Sequence, residues 1–297
     1  MKIQEIGSKK VLITGCNKGL GYGILKNLLM RPEKHTFIMA IRDLANGKKA
    51  IEELSKDIPD INSRIELLEL DISKKESIIK AIKILESRTT KIDCIFNNAG
   101  IDFNDMFLMT EERAKIIMNT NFYGTVEFTN SISHLINENG KIIFIGSLAG
   151  SLEILKSESL INRFLDPNLT MDKLFELAQK FQLDVISNQF QQEGWPKFAY
   201  GISKLFVHFY AKLLSSDPIY VKKNIQVYSC HPGTILTDLT KDIPKLASLP
   251  IIINIDQGAL APCFLFDLQW TINENQGCFF NKCEKGSFRE KLIFKYE

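Results

Sequence analysis

No stretch of this chain reaches the ~18 consecutive apolar residues that a membrane-spanning helix requires, so no spanning segment is expected. The opening MKIQEIGSKKVLITG breaks any apolar run with Glu5, Ser8, Lys9 and Lys10, which argues against a signal peptide. The closing Lys295-Tyr296-Glu297 matches no lipidation or retention address, and a cytoplasmic protein is the expectation. An excess of one charge is also missing. Lys and Arg number 37 against 35 Asp and Glu, a net charge of +2, which disfavours nucleic acid or an anionic membrane as the main partner. Histidines are only four, with no paired spacing, so no metal site is expected. The six cysteines, Cys16, Cys94, Cys230, Cys263, Cys278 and Cys283, form no C-x-x-C. That excludes a redox or zinc motif and leaves reduced, mostly buried thiols. There is no internal repeat and no low-complexity segment.

What is present is alternation. Val11-Leu12-Ile13, Thr36 to Ile41, Ile65 to Leu70, Cys94-Ile95-Phe96 and Lys141 to Ile145 read as strands. Helical patterns lie between them, from about Leu20 to Met30, through Leu44, Ile51 and Leu54, and through Ile78, Ile79, Ile82 and Leu85. Near-continuous apolar strands alternating with amphipathic helices predict a parallel sheet covered on both faces, an α/β doubly wound fold. The alternation stops at 151–195, which is polar-helical and reads as an insertion. Leu174, Leu177, Ala178, Phe181 and Val185 share one face there, and Thr170 is a natural N-cap. A helix from about Lys197 to Ser215, a strand at Ile225 to Tyr228 and a last strand at Gly277 to Phe280 complete seven strands in one domain, residues 1–297.

Thr14-Gly15-Cys16-Asn17-Lys18-Gly19-Leu20-Gly21 sits between the first strand and the first helix. Glycines serve ordinary turns as well. At this place in a βαβ unit, however, they let backbone N–H groups and a helix N-terminus approach a diphosphate. Four further segments follow in order: Leu70-Asp71-Ile72 after the third strand, Asn97-Asn98-Ala99-Gly100 after the fourth, Tyr200-x-x-x-Lys204, and Pro232-Gly233-Thr234 after the sixth. Together they resemble the short-chain dehydrogenase/reductase family over nearly the whole chain. The resemblance implies a Rossmann-type fold with a seven-stranded, mostly parallel sheet. It also implies a nicotinamide site built from Gly15, Asn17, Lys18, Gly19, Leu20, Gly21, Asp71, Ile72, Asn98, Ala99, Gly100, Tyr200, Lys204, Pro232, Gly233 and Thr234. About 20 residues past the loop, where an acid usually holds the adenosine ribose of NAD, the chain has Arg42. With Lys18, this cation is placed to hold a 2′-phosphate, so NADPH/NADP+ is expected. Asp43, next to Arg42, would serve an NAD ribose if it turned inward.

Residues i and i+4 of a helix share a face, so Tyr200 and Lys204 are neighbours. An ammonium beside a phenol lowers its pKa from ~10. The spacing alone decides nothing, because Tyr22 and Lys26 share it; Tyr200 stands where the family's proton-transferring tyrosine belongs. The resemblance adds Ser147 as the residue holding the substrate oxygen. It also adds Asn121, in Asn119-Thr120-Asn121-Phe122-Tyr123-Gly124, as the anchor of a water near the lysine. The bland readings are a turn serine and a polar residue at a helix bend. Where the family often has a second serine, this chain has Gly146.

Between Ser147 and Tyr200 lie far more residues than in most members. This segment, with Ser151 to Lys156 and Glu193-Gly194-Trp195-Pro196, resembles the insertion of monomeric carbonyl reductases, which covers helices that relatives use for oligomer contacts. A monomer is therefore expected. Trp195 either lines the substrate mouth or packs in the core. Ile101, Phe103 and Met106 offer an apolar wall suited to aldehydes, ketones and quinones. His231 receives no role. The expected function is NADPH-dependent reduction of small-molecule carbonyls with Tyr200 as proton donor. The alternatives are an alcohol or hydroxysteroid dehydrogenase of the same family, and a non-catalytic dinucleotide-binding regulator.

Overall fold

The computed structural model describes residues 7–103, 105, 107–238, 240, 252–268, 279–281 and 284–286. Met106, Gly277, Cys278 and Cys283 lie outside them. The strands are β1 (Lys10–Thr14), β2 (Thr36–Ile41), β3 (Ile65–Glu69), β4 (Ile92–Asn97), β5 (Ile136–Ile145), β6 (Gln226–His231) and β9 (Phe279–Asn281). They form the seven expected parallel strands, in the order β3-β2-β1-β4-β5-β6-β9. A short antiparallel strand not foreseen from the sequence, β10 (Glu284–Gly286), borders β9. A separate two-stranded pair joins β7 (Thr234–Ile235) to β8 (Ile252–Ile253).

Strand side chains alternate between two cores, as a period of two requires. Leu12, Ile38, Ile95, Ile142 and Phe144 point to one face. Val11, Ile13, Met39, Phe96 and Ile143 point to the other. The first core is covered by α3 (Lys75–Ser87), α4 (Glu111–Met118), α5 (Thr125–Ile132) and α8 (Ala199–Leu214), and the second by α1 (Gly19–Leu29), α2 (Leu44–Leu54) and α10 (Ile255–Asp267). Both faces are therefore dry, which is why the strands read as nearly continuous apolar runs. Gly23 sets the approach of α1 to α10: a Cβ there would lie 2.5 Å from Ile255 Cγ2.

The segment before the tyrosine is helical, with α6 (Glu158–Leu165) and α7 (Met171–Ile186). Thr170 caps α7, its side chain accepting from the Lys173 amide at 3.3 Å. Leu174, Leu177, Ala178, Phe181 and Val185 are all buried against α4 and α8. Gly194, with φ +93° and its α-carbon against Ser157, returns the chain to α8, followed by a short α9 (Pro218–Lys222) after it. Among the described residues no helix is long and apolar enough to cross a membrane, and no cluster of three or more metal-binding side chains exists.

Candidate active site

The strand order reverses between β1 and β4, and in open α/β sheets ligands bind at the carboxyl ends of the strands at such a point. Here the loops after β1 and β4 are stitched together. Thr14 Oγ1 accepts from the amides of Asn98 and Ala99, both at 3.0 Å. Asn98 Nδ2 donates to the carbonyls of Thr14 at 2.9 Å and Gly15 at 3.0 Å. The Asn98 carboxamide is thus spent on the loop, shaping the site rather than reaching into it. Gly15 needs its positive φ of +66°, and any Cβ there would press on Ala99 Cα at 3.1 Å. At Gly21 a Cβ would lie 2.5 Å from Asn98 Nδ2 and 2.7 Å from the Gly15 carbonyl, so only glycine lets the loop close on the helix.

The start of α1 is built for an anion. Its N-cap residue, Lys18, makes no side-chain cap, and the first turn carries no acid. The leading N–H groups and the positive end of the helix are therefore left for a ligand. Gly19, with φ +57°, presents bare backbone: a Cβ there would meet nothing nearer than Thr237 at 3.6 Å. Asn17 and Leu20 flank it, half-buried. These features fit the diphosphate of a dinucleotide. At the end of β2, Arg42 is exposed. The Asp43 carboxylate caps α2, accepting from the Ala45 amide at 2.8 Å and from Asn46 Nδ2 at 2.8 Å. It is turned to its own helix rather than inward. Lys18 is exposed and paired with Asp238 at 2.8 Å. Asp71 accepts from Ser73 Oγ at 2.6 Å and from its amide at 3.0 Å. Ile72 is buried with its carbonyl against Gly124. Pro232 and Gly233 (φ +104°) turn the chain from β6 into Thr234 of β7.

The remaining residues meet on the first turns of α8. Tyr200 is half-buried beside the Ser147 side chain. Ser147 Oγ also accepts from the Ala149 amide at 3.1 Å, capping a short 3-10 turn over Leu148–Gly150. That turn sits directly on α8. A Cβ at Gly150 would lie 2.6 Å from the Leu205 amide, and one at Gly201 would lie 2.5 Å from the Ala149 carbonyl. Lys204 lies one turn on, its Nζ 5.6 Å from the Tyr200 ring centre and donating to the Ile145 carbonyl at 2.7 Å. Asn121 sits in a π-helical turn, Asn119–Gly124, a form that often marks functional sites. Its Oδ1 accepts from the Ile101 amide at 2.8 Å, and its Nδ2 donates to the Ile101 carbonyl at 2.9 Å and Ser203 Oγ at 3.0 Å. The Asn121 carboxamide thus clamps the chain just after Gly100.

Two expectations need correction, and one residue needs adding. Trp195 is not at the mouth: it is 1% exposed, packs on Phe164, Phe181 and Phe206, and its indole N–H donates to Asp184 at 2.8 Å. An indole buried with its N–H satisfied is a core anchor. The rim beside Tyr200 is formed instead by Phe198, 6.1 Å away between ring centres, and by the exposed Phe107, 5.4 Å from Phe198. Second, Lys204 does not hold the Tyr200 phenol below its ordinary range. Burial drives it up, the Asp102 charge adds to this, and only the Ser147 hydrogen bond opposes. Burial in turn lowers Lys204 to about 8. Third, the sequence reading passed over Asp102. Burial raises its carboxyl to about 6 despite Arg113 and Lys204, and its only sequence signal was an acid two residues past Gly100. Tyr22, the other tyrosine with a lysine four residues on, lies on α1 and faces Glu53 and Asp57, away from this site.

A carboxylate near a carbonyl that is gaining negative charge opposes the reaction. Reduction is therefore expected to speed up as pH falls through about 6 and Asp102 takes a proton. Asp102→Asn should remove that rise and be faster above it, by about 1 kcal/mol or roughly fivefold. Parallel pH–kcat profiles of the two proteins check this; superimposable profiles would show Asp102 to be remote from the reacting oxygen.

Comparison with known proteins gives one consistent answer. Residues 9–157 match the family model described as short chain dehydrogenase. Carbonyl reductase (NADPH) 3 of Rattus norvegicus is 30% identical over 87% of this chain and 90% of its own length. Carbonyl reductase (NADPH) 1 of Homo sapiens is 30% identical over 87% of this chain and 91% of its own. Among solved structures, salutaridine reductase from Papaver somniferum superposes with a TM-score of 0.75 at 20% identity, covering 93% of this chain and all (100%) of that one. The NADPH-bound carbonyl reductase from chicken fatty liver superposes at 0.66 with 18% identity, covering 97% and 99%. The two structures speak for the fold.

Proposed function

The chain belongs to the short-chain dehydrogenase family, and from that premise we propose that it reduces carbonyl compounds to alcohols with NADPH, Tyr200 delivering the proton. The observation that carries this reading is the meeting of Tyr200, Ser147 and Lys204 at the carboxyl end of β5, beside an uncapped helix N-terminus. The similarity to NADPH carbonyl reductases of two mammals supports the same cofactor and reaction.

NADPH, when bound, supplies the hydride. The protein does the rest. The amides opening α1 and the Gly15–Gly21 loop receive the diphosphate, while Arg42 and Lys18 take the 2′-phosphate. Ser147 and Tyr200, side by side, converge on the substrate oxygen. A phenol raised by burial keeps its proton at neutral pH, so Tyr200 stands ready as a donor to the forming alkoxide. Lys204, held by the Ile145 carbonyl, places a positive charge behind the phenol. Asn121 fixes the backbone at Ile101, just after Gly100. The aromatic rim of Phe107 and Phe198 favours apolar aldehydes, ketones and quinones over charged metabolites. Oxidation of a specific alcohol would use the same site in reverse, but a tyrosine that holds its proton favours reduction.

The purified protein should consume NADPH with a panel of quinones and aldehydes, and do so faster than it consumes NADH. No consumption, or a preference for NADH, would sink this reading. We also read the protein as a cytoplasmic monomer. Buried thiols at Cys16 and Cys94 suit a reducing compartment, and α7 lies over α4 and α8, the face the resemblance assigns to oligomer contacts. Light scattering is expected to give a mass near the 33.9 kDa of one chain; a mass near twice that would contradict it.

A further inference from the structure

The sequence departs from its family at Gly146, and the structure places a buried histidine against that position. His208 lies on α8, one turn beyond Lys204 and two beyond Tyr200, and is 0% exposed. A Cβ at Gly146 would overlap its ring, lying 2.7 Å from both Nδ1 and Nε2 and closer still to Cε1. The ring bridges two strands' ends. Nε2 is 2.9 Å from the Ser147 carbonyl and 3.3 Å from the Ser147 amide. Nδ1 is 3.0 Å from Ser229 Oγ on β6.

From this geometry we propose that His208 is a positioning residue for Ser147, and that Gly146 and His208 act as one unit in which the ring occupies the space a side chain at 146 would need. The proposal rests on the reading of Ser147 as the residue that holds the substrate oxygen. Burial drives His208 down to about 4, so the ring is neutral at working pH and carries a single N–H. Nε2 faces both the carbonyl and the amide of Ser147, and Nδ1 faces the Ser229 hydroxyl, the donor and acceptor roles following the tautomer. A hydrogen-bonded chain then runs from Ser229 through His208 to the Ser147 backbone. The Ser147 side chain lies next to Tyr200. Gly150 N also donates to the Ser147 carbonyl, at 2.9 Å, so that one oxygen is gripped from the 3-10 turn and from α8 together. With no side chain at 146 to wedge the turn, the imidazole fixes where the serine hydroxyl points. His208 touches no substrate in this scheme; it acts through Ser147.

Two variants and one cycle test it, all in the full chain. His208→Leu keeps the bulk and loses both ring contacts. It is expected to lower kcat by about 10- to 100-fold, the cost of a small misplacement of a reacting group, with the KM for NADPH unchanged. His208→Gln can still donate to the Ser147 carbonyl and is expected to recover most of that loss. If His208→Leu does not fold, His208→Gln decides alone. A folded Gln variant near wild-type kcat supports the proposal, and one with a large loss of kcat overturns it. A His208→Leu protein that keeps full kcat, or that loses NADPH binding in step with kcat, also overturns it. The cycle reads the pairing without any turnover. Gly146→Ala should lower the thermal midpoint sharply in the wild type and hardly at all in the His208→Ala background. Equal drops in both would separate the two residues and end the proposal. If the wild type reduces no carbonyl, the functional reading fails, while the thermal cycle still judges the Gly146–His208 unit.

Discussion

Tyr200→Phe is expected to lower kcat for carbonyl reduction by about 10²- to 10⁴-fold, the usual worth of a positioned general acid, with little change in NADPH binding. The variant removes one oxygen and leaves the ring that stacks near Phe198. It also leaves the Gly201 and Gly150 approaches that seat the Ser147 turn on α8. Stability should change little, because Ser147 keeps its bond from the Ala149 amide when the phenol oxygen is removed. What disappears is the proton. With the phenol gone the alkoxide must take a proton from water, and Lys204, turned to the Ile145 carbonyl at 2.7 Å, cannot substitute without moving. Steady-state kinetics with fluorescence titration of NADPH separates the two effects. A variant within tenfold of wild type would mean that another group is the acid.

Arg42→Ala is the second large effect, and it falls on the cofactor. An exposed arginine gains affinity only from a ligand that it can grip with its planar fork. Hydrogen bonds to charged groups are worth about 1.5–3 kcal/mol, so the KM for NADPH is expected to rise roughly 10- to 100-fold, with that for NADH unmoved. Lys18→Ala should do less. Its ammonium must first leave Asp238, but an exposed ion pair is worth only about 0–1 kcal/mol, so the exchange is cheap and the net gain modest. Asp43 supplies the control. Its carboxylate is committed to the start of α2, so Asp43→Asn, which can still cap, should alter neither cofactor's KM. A selective loss with NADH would mean that Asp43 reaches the ribose after all.

How far this site could be read before folding depended on the kind of signal. Backbone demands were legible. Gly15 and Gly19 stand where φ is positive, and Gly21 where contact with Asn98 leaves no room for a side chain. The strands from Val11 to Tyr228 were legible because both sheet faces are dry and apolar residues run without interruption. Thr170 and the buried face of α7 followed from helical period alone. The short antiparallel β10 was not, since three residues at a sheet edge carry no periodic signal. Side-chain direction was the other blind spot. Nothing in Glu193-Gly194-Trp195-Pro196 says whether the indole faces solvent or Asp184. Asp102 and His208 are invisible to any motif, because what they do depends on which loop closes over them. Gly146 was the one hint: an absent serine implies that something else fills the gap, and His208 does. The spacing of Tyr200 and Lys204 gives adjacency, but burial, which raises the phenol and lowers the ammonium, cannot be read from spacing.

The central claim, hydride transfer from NADPH to a carbonyl carbon with Tyr200 delivering the proton, is tested most directly by isotope transfer. The protein is given NADPH deuterated at both C4 positions of the nicotinamide and an aldehyde or ketone substrate, and the alcohol is examined by mass spectrometry. The account predicts a single deuterium on the carbinol carbon with the wild-type protein and almost no labelled alcohol with Tyr200→Phe. Alcohol formed without deuterium, or labelled alcohol produced equally fast by Tyr200→Phe, would contradict it.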